Sequence, residues 1–156
     1  MNSIPMTGDL LYRQKGIFGH AGVYLGDMMV FHHSPESGAE VVSLSDYADG
    51  KDVHIVKSGS HNRQDLVAAL EAILTTDSRY NPFTNNCEHL ANTLLFGRHF
   101  SGQIQVGLIS AAIGGLLSWR AGRGNPAIIS VICGIAGCLG TNAHRKYERT
   151  IPASHI

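Results

Sequence analysis

Cys87 is the residue in this sequence whose type and setting best suit nucleophilic chemistry. It lies in the segment 85–90, which reads NNCEHL, and the apolar spacing after it predicts a helix over residues 88–96. A thiol at a helix N-terminus lies beside the positive end of the helix dipole, so we expect its pKa to be lowered and the thiolate to be favoured. A lone cysteine is more often a small buried apolar residue, and a nucleophile also needs a base.

Two histidines upstream of the cysteine are candidates for that base. His20 begins a predicted strand over residues 20–25, and His32 lies in a second predicted strand over residues 28–33, beyond a hairpin turn at Gly26-Asp27. An even spacing across a short hairpin can place two side chains on one face, with His33 on the other. One imidazole would accept the thiol proton, and the other would hold the first ring in its tautomer.

The same part of the sequence also contains potential metal ligands. His20, His32, Cys87 and His89 are of the types that bind zinc. However, Cys87 and His89 lie two positions apart on the predicted helix and would point to different faces. The sequence therefore predicts neither a metal nor a cofactor, and we expect His89 to pack or cap locally.

The elements that must position these residues come from the first hundred positions. Short strands are predicted at residues 10–13, 20–25, 28–33, 41–44 and 53–57, and helices at 64–74 and 88–96. This is an α+β fold with a small antiparallel sheet. The 156 residues carry 12 basic and 12 acidic side chains, so no overall field favours nucleic acid. Three cysteines argue against a disulfide framework and fit a reducing compartment.

The composition changes after residue 102. Residues 104–119 and 127–142 carry no charge, and each would make a helix of about 24 Å, short of the roughly 30 Å hydrocarbon core. Gly107, Ala111 and Gly115 have the spacing that lets helices approach closely in lipid. We therefore predict a domain over residues 1–102 and, over residues 103–156, an apolar helical hairpin with a basic tail. The hairpin is expected to associate with a membrane, and the alternative is a soluble hairpin covering the sheet.

Four short patterns in the sequence resemble one family. They are Gly8-Asp9-Leu10, the run from His20 to Asp27 with Tyr24 and Gly26, Val30-Phe31-His32, and Asn86-Cys87-Glu88-His89. Together they resemble the lecithin:retinol acyltransferase-like family, which includes the H-rev-type phospholipase/acyltransferases and is related to NlpC-type papain-like hydrolases. An apolar C-terminal membrane segment is also typical of that family.

The resemblance implies a permuted papain-like fold and a thiol-dependent acyl transfer. An acyl chain would pass from a glycerophospholipid to Cys87 as a thioester, and then to water or to an amine or alcohol acceptor. Carried over position by position, Cys87 is the nucleophile, His20 the general base and His32 the orienting third member. The implied partner is a phospholipid membrane, with residues 104–142 as the anchor. Basic residues at both ends of the hairpin favour its cytoplasmic side.

Two other functions are compatible with the same residues. An NlpC-type cysteine peptidase or amidase would use the same thiol and base on an amide. A non-enzymatic membrane-binding protein could retain the motif, with residues 104–142 as its working part. The sequence departs from the family at Ala21, where many members have an aromatic residue, and at Leu90, where they have phenylalanine. These differences affect the choice of substrate and acceptor more than the nucleophile.

Overall fold

The computed structural model of the chain describes residues 5–16, 18–59, 61–75, 81, 86–98 and 101–156. These residues form two compact units. The first consists of Met1–Phe100 together with Lys146–Ile156, and the second is Ser101–Arg145. Each unit is described by itself.

In the described residues, the first unit contains an antiparallel sheet and three α-helices, which confirms the predicted α+β class. The described strands are ordered β4-β3-β2-β1-β5-β6 across the sheet. Their bounds are β1 Leu10–Lys15, β2 Phe18–Gly26, β3 Met29–Ser34, β4 Gly38–Ser43, β5 Val53–Val56 and β6 Arg149–Ile151. The helices are α1 Leu44–Ala48, α2 Arg63–Thr75 and α3 Cys87–Phe96, and a single 3-10 turn follows at Ala153–His155.

The turn between β2 and β3 fixes the positions of the two candidate histidines. Asp27 and Met28 both have positive φ values, of 50° and 60°, which is the backbone of the tight turns that suit twisted hairpins. In the ladder that starts at this turn, Tyr24 pairs with Val30, and the last pair is Gly22 with His32. The hairpin predicted around Gly26-Asp27 is therefore present, and His20 lies two residues beyond the end of its ladder.

Each face of the sheet has its own buried core. The α2 and α3 helices cover one face, where the buried residues are Leu10, Tyr12, Ala21, Val23, Phe31, Leu66, Cys87, Leu90, Ala91, Leu94 and Leu95. The short helix α1 covers the other face, with a core made of Leu11, Tyr24, Val30, Leu44, Tyr47, Ala48, Val53, Ile55 and Ile151. The alternation along β2 assigns His20, Gly22 and Tyr24 to the α1 face.

The helix α1 was not predicted, because the residues from 41 through Leu44 have the pattern of a strand. The chain instead leaves β4 at Ser43, whose hydroxyl accepts the backbone N–H of Asp46 at 3.0 Å and caps the helix. The Ser-x-x-Asp spacing is close to a capping-box pattern and could have revealed the helix start. The helix ends at Asp49, which has a positive φ of 52°.

The C-terminal tail returns to the sheet. β6 pairs with β5 through Ile151–Val53 and Thr150–His54, and Ile151 is buried. The ring of Tyr147 stacks on that of His54 with the centroids 4.4 Å apart. Residues 103–156 were predicted as one region, whereas in the structure Lys146–Ile156 belongs to the first unit and Ser101–Arg145 forms the second. A three-residue strand is too short to give a periodic signal, so its partner could not be inferred from pattern.

The second unit is a pair of apolar helices, α4 (Gly102–Ala121) and α5 (Pro126–Ala143). Small residues line the contact between them, as the Gly107, Ala111 and Gly115 spacing predicted. A Cβ added at Gly107 would collide with the sulfur of Cys138, and one at Gly115 with the hydroxyl of Ser130.

Among the described helices, α4 is long and apolar enough to cross a bilayer, and α5 carries the shorter apolar stretch Pro126–Thr141. The outward-facing side chains are large, apolar and exposed: Leu108, Ile109, Ile113, Leu116, Leu117, Trp119, Ile128, Val131 and Ile132.

Candidate active site

The start of α3 places Cys87 at the first helical position. The side-chain oxygen of Asn86 accepts the backbone N–H groups of Glu88 and His89, each at 3.0 Å, and so caps the helix. The same oxygen lies 3.0 Å from Nδ1 of His89, which therefore has the local role expected for it. Asn85, the first residue of the motif, lies outside the described residues.

The thiol of Cys87 reaches the backbone of β2 beside His20. Its sulfur accepts the N–H of Ala21 at 3.4 Å, and Ala21 lies one residue beyond the last pair of the β2–β3 ladder. The end of the ladder therefore leaves a backbone donor for the sulfur. Ala21 also packs against the thiol in the core on the α3 face, where Cys87 is 9% exposed.

Burial dominates the acidity of this thiol. It raises the pKa of Cys87 above its ordinary value of 9.0, and the hydrogen bond from Ala21 lowers that pKa by less. The charge of Glu88 adds to the increase, while the N–H groups of the first helical turn oppose it. The predicted lowering of the thiol pKa was therefore wrong, because desolvation outweighs the helix N-terminus at this site.

His20 and His32 are in direct contact, as their spacing predicted. Nε2 of His20 lies 3.1 Å from Nδ1 of His32, and the rings meet nearly edge to face at 78°. A hydrogen bond at this distance requires one nitrogen to carry a proton and the other to accept it. His33 is wholly buried and, by the alternation along β3, lies on the opposite face.

Tyr47 on α1 supports the histidine pair and was missed by the sequence analysis. Its hydroxyl lies 2.7 Å from the carbonyl oxygen of His20 and 3.0 Å from that of Leu11. Its ring stacks on the His20 ring and meets the His32 ring edge-on, with both centroid distances 5.7 Å. A Cβ at Gly22 would lie 2.8 Å from the Tyr47 ring, so the close approach of this ring requires glycine there.

Opposite charges flank the pair. Arg13 is the β1 partner of His20 in the ladder, and its guanidinium bonds Asp49 at 3.1 Å. Glu40 is the β4 partner of His32, and its carboxylate lies 3.4 Å from Nε2 of that histidine. Neither charged residue was singled out from the sequence, because pairing across strands is not visible in a linear pattern.

Both imidazoles are neutral near pH 7. Burial, followed by the charges of His32 and Arg13, lowers the pKa of His20 to about 3. Burial also lowers the pKa of His32, although the Glu40 carboxylate acts to raise it. The site thus holds an un-ionised thiol and two un-ionised rings.

The structure brings two of the three predicted site residues, His20 and His32, into contact, and it bonds the third, Cys87, to the backbone next to His20. The two histidines touch each other from the α1 face, and the thiol arrives from the α3 side. Among the described residues, the thiol is hydrogen-bonded to the backbone next to His20 rather than to either ring.

A cysteine at a helix start, bonded to a strand that carries one of two paired histidines, defines an α+β protein with a candidate thiol–imidazole site. The family model described as lecithin retinol acyltransferase matches residues 3–100, and the chain belongs to this family. Two similar proteins carry the name phospholipase A and acyltransferase 3. The human protein is 26% identical over 135 residues, and the mouse protein is 24% identical over 136 residues. In both cases the match covers 72% of this chain and 83% of the relative.

Proposed function

We propose that this protein is a thiol-dependent phospholipid acyl hydrolase or acyltransferase with Cys87 as its nucleophile. The observation that supports the proposal is the bond from the Ala21 N–H to the Cys87 sulfur, next to the paired His20 and His32, in a chain of the lecithin retinol acyltransferase family. The names of its similar proteins support a glycerophospholipid as the acyl donor. The permuted papain-like arrangement implied by the sequence remains part of this proposal.

The reaction begins with proton transfer from the thiol to His20. Because the thiol and the ring are both neutral at rest, deprotonation accompanies attack of the sulfur on the ester carbonyl. The N–H of Ala21, already directed at the sulfur, stabilises the negative charge that develops on it. His32 holds the ring of His20 in one orientation.

The acyl chain then moves in two steps. Collapse of the tetrahedral adduct breaks the bond between the carbonyl carbon and the ester oxygen, and the imidazolium of His20 gives its proton to the departing lysophospholipid. This leaves an acyl thioester on Cys87. Water, an amine or an alcohol then attacks the thioester carbonyl while giving a proton to His20. The carbon–sulfur bond breaks as the acyl product forms, and the imidazolium of His20 returns its proton to the leaving sulfur.

The helical pair of residues 101–145 is proposed to hold the site at a bilayer. Both helices present large apolar side chains to their surroundings, and α4 is long enough to cross the hydrocarbon core. We place the sheet unit on the cytoplasmic side, since basic residues flank both ends of the pair. Tethering would raise the local concentration of phospholipid at the thiol.

Mass spectrometry of the intact protein tests this function. The full chain is mixed with phosphatidylcholine vesicles and quenched in acid, and the peptide that carries an added acyl group is then identified. We expect one acyl mass on Cys87, absent in Cys87→Ser because a hydroxyl ionises far less readily than a thiol. Cys133→Ser combined with Cys138→Ser is the matched control and should retain the adduct. An adduct that persists in Cys87→Ser would remove Cys87 from the role.

A further inference from the structure

Glu40 extends the histidine pair by one residue. It stands directly across from His32 in the β3–β4 ladder, with its Oε1 atom 3.4 Å from Nε2 of His32. The other nitrogen of that ring, Nδ1, is already engaged by His20. Ser37 also donates its hydroxyl to Oε1, which holds the carboxylate in place. The three side chains thus form a row of His20, His32 and Glu40.

The chemistry of the groups determines which ring nitrogens along this row donate a proton and which accept one. An ionised carboxylate can only accept hydrogen bonds, whereas a neutral imidazole has one donor nitrogen and one acceptor nitrogen. Facing Glu40, His32 is most stable with its proton on Nε2, and its Nδ1 then becomes an acceptor. His20 must in turn donate from Nε2, which leaves its Nδ1 with a free electron pair.

We propose that Glu40 is a positioning residue that fixes the tautomers of both histidines and leaves Nδ1 of His20 as the proton acceptor for the thiol. The assignment of the tautomers stands on the contacts alone, and the catalytic consequence rests on the proposed function. Glu40 acts through His32 and touches no reacting atom. Being one-third exposed, its carboxylate contributes little to stability, so its effect is on orientation.

Other charged and titratable groups also act on His32 or contact its ring, but they cannot replace this carboxylate. They carry positive charge or no charge at neutral pH, so none of them is an anionic acceptor. They are Arg13 and Lys15 on β1, His20 on β2, His33 on β3 and Tyr47 on α1.

Nuclear magnetic resonance of ¹⁵N-labelled histidine tests the tautomers without any need for activity. In the full chain we expect His20 and His32 each to be protonated on Nε2 at pH 7. Glu40→Ala should convert both rings to mixtures of tautomers. Glu36→Ala is the matched control, because Glu36 is exposed on the same β3–β4 connection and its side chain is not part of the row. The proposal is overturned if Glu40→Ala keeps the wild-type tautomers.

Kinetics on phospholipid then tests the consequence for the thiol. Glu40→Ala should lower kcat about tenfold with KM unchanged, since it misplaces the base and does not contact substrate. Glu36→Ala should leave both constants unchanged. Altered tautomers with an unchanged kcat would overturn the positioning role. If the wild-type chain forms no acyl adduct at all, the proposed function fails, and the resonance experiment still decides the assignment of the tautomers.

Discussion

Cys87, His20 and His32 are each at most 9% exposed, and this burial opposes charge on all three side chains. A preformed thiolate–imidazolium pair would require a pKa order opposite to the one that burial imposes here. In the proposed mechanism, proton transfer would therefore occur together with bond formation to the substrate. The site would also protect the resting thiol from other electrophiles, because the thiolate is the reactive species.

The rate of alkylation of Cys87 at different pH values should show whether the thiol is neutral at rest. With the thiol pKa raised above 9.0, the thiolate fraction grows as pH increases, so the rate with iodoacetamide should still be rising at pH 9. If the thiol and the imidazole formed an ionised pair, the alkylation rate would instead reach a plateau at lower pH. The measurement uses a Cys133→Ser, Cys138→Ser background so that a single thiol reacts. A plateau below pH 8 would contradict the neutral resting state.

At the scale of the elements, the sequence predicted those that carry a strong local pattern. The strands around the two histidines, the hairpin between them and the helix after Cys87 all follow from periodicity and turn residues. The strand β6 and the contact between Glu40 and His32 did not follow, because each depends on pairing between strands. Tyr47 was missed for a related reason, since the five-residue helix α1 that carries it is too short to show a periodic pattern.

The two apolar helices offer a matched pair of glycine substitutions. A Cβ at Gly114 would collide with the side chain of Cys133, whereas a Cβ at Gly140 meets nothing within 4 Å. Gly114→Ala should therefore destabilise the pair by about 1–3 kcal/mol through overpacking. Gly140→Ala should stabilise α5 by up to about 1 kcal/mol, because alanine is the better helix former. Thermal unfolding followed by circular dichroism in detergent micelles measures both effects. Equal shifts of the unfolding temperature in the two variants would exclude the close contact between Gly114 and Cys133.

At the scale of the whole molecule, the chain leaves the sheet unit before Ser101 and returns to it at Lys146. The strand β6 is the edge strand next to β5, and Ile151 contributes to the core on the α1 face. Burying that one side chain is worth about 2 kcal/mol. The helical pair is therefore an insertion between parts of one unit, and cutting the chain at Gly102 removes part of the sheet together with the helices.

Two shortened proteins separate the role of the helical pair from that of the tail. Replacing residues 101–145 with a flexible Gly/Ser linker keeps β6 available to β5, so this variant should keep the unfolding temperature of the sheet unit. Ending the chain at Gly102 exposes β5 and should lower that temperature.

In flotation and turnover assays, the linker variant should lose binding to phosphatidylcholine vesicles and most turnover on them, because the proposed tether is gone. It should retain turnover on short-chain lipids dispersed in water, which need no tether. Vesicle binding and turnover equal to those of the full chain would show that the apolar helices do not anchor the protein.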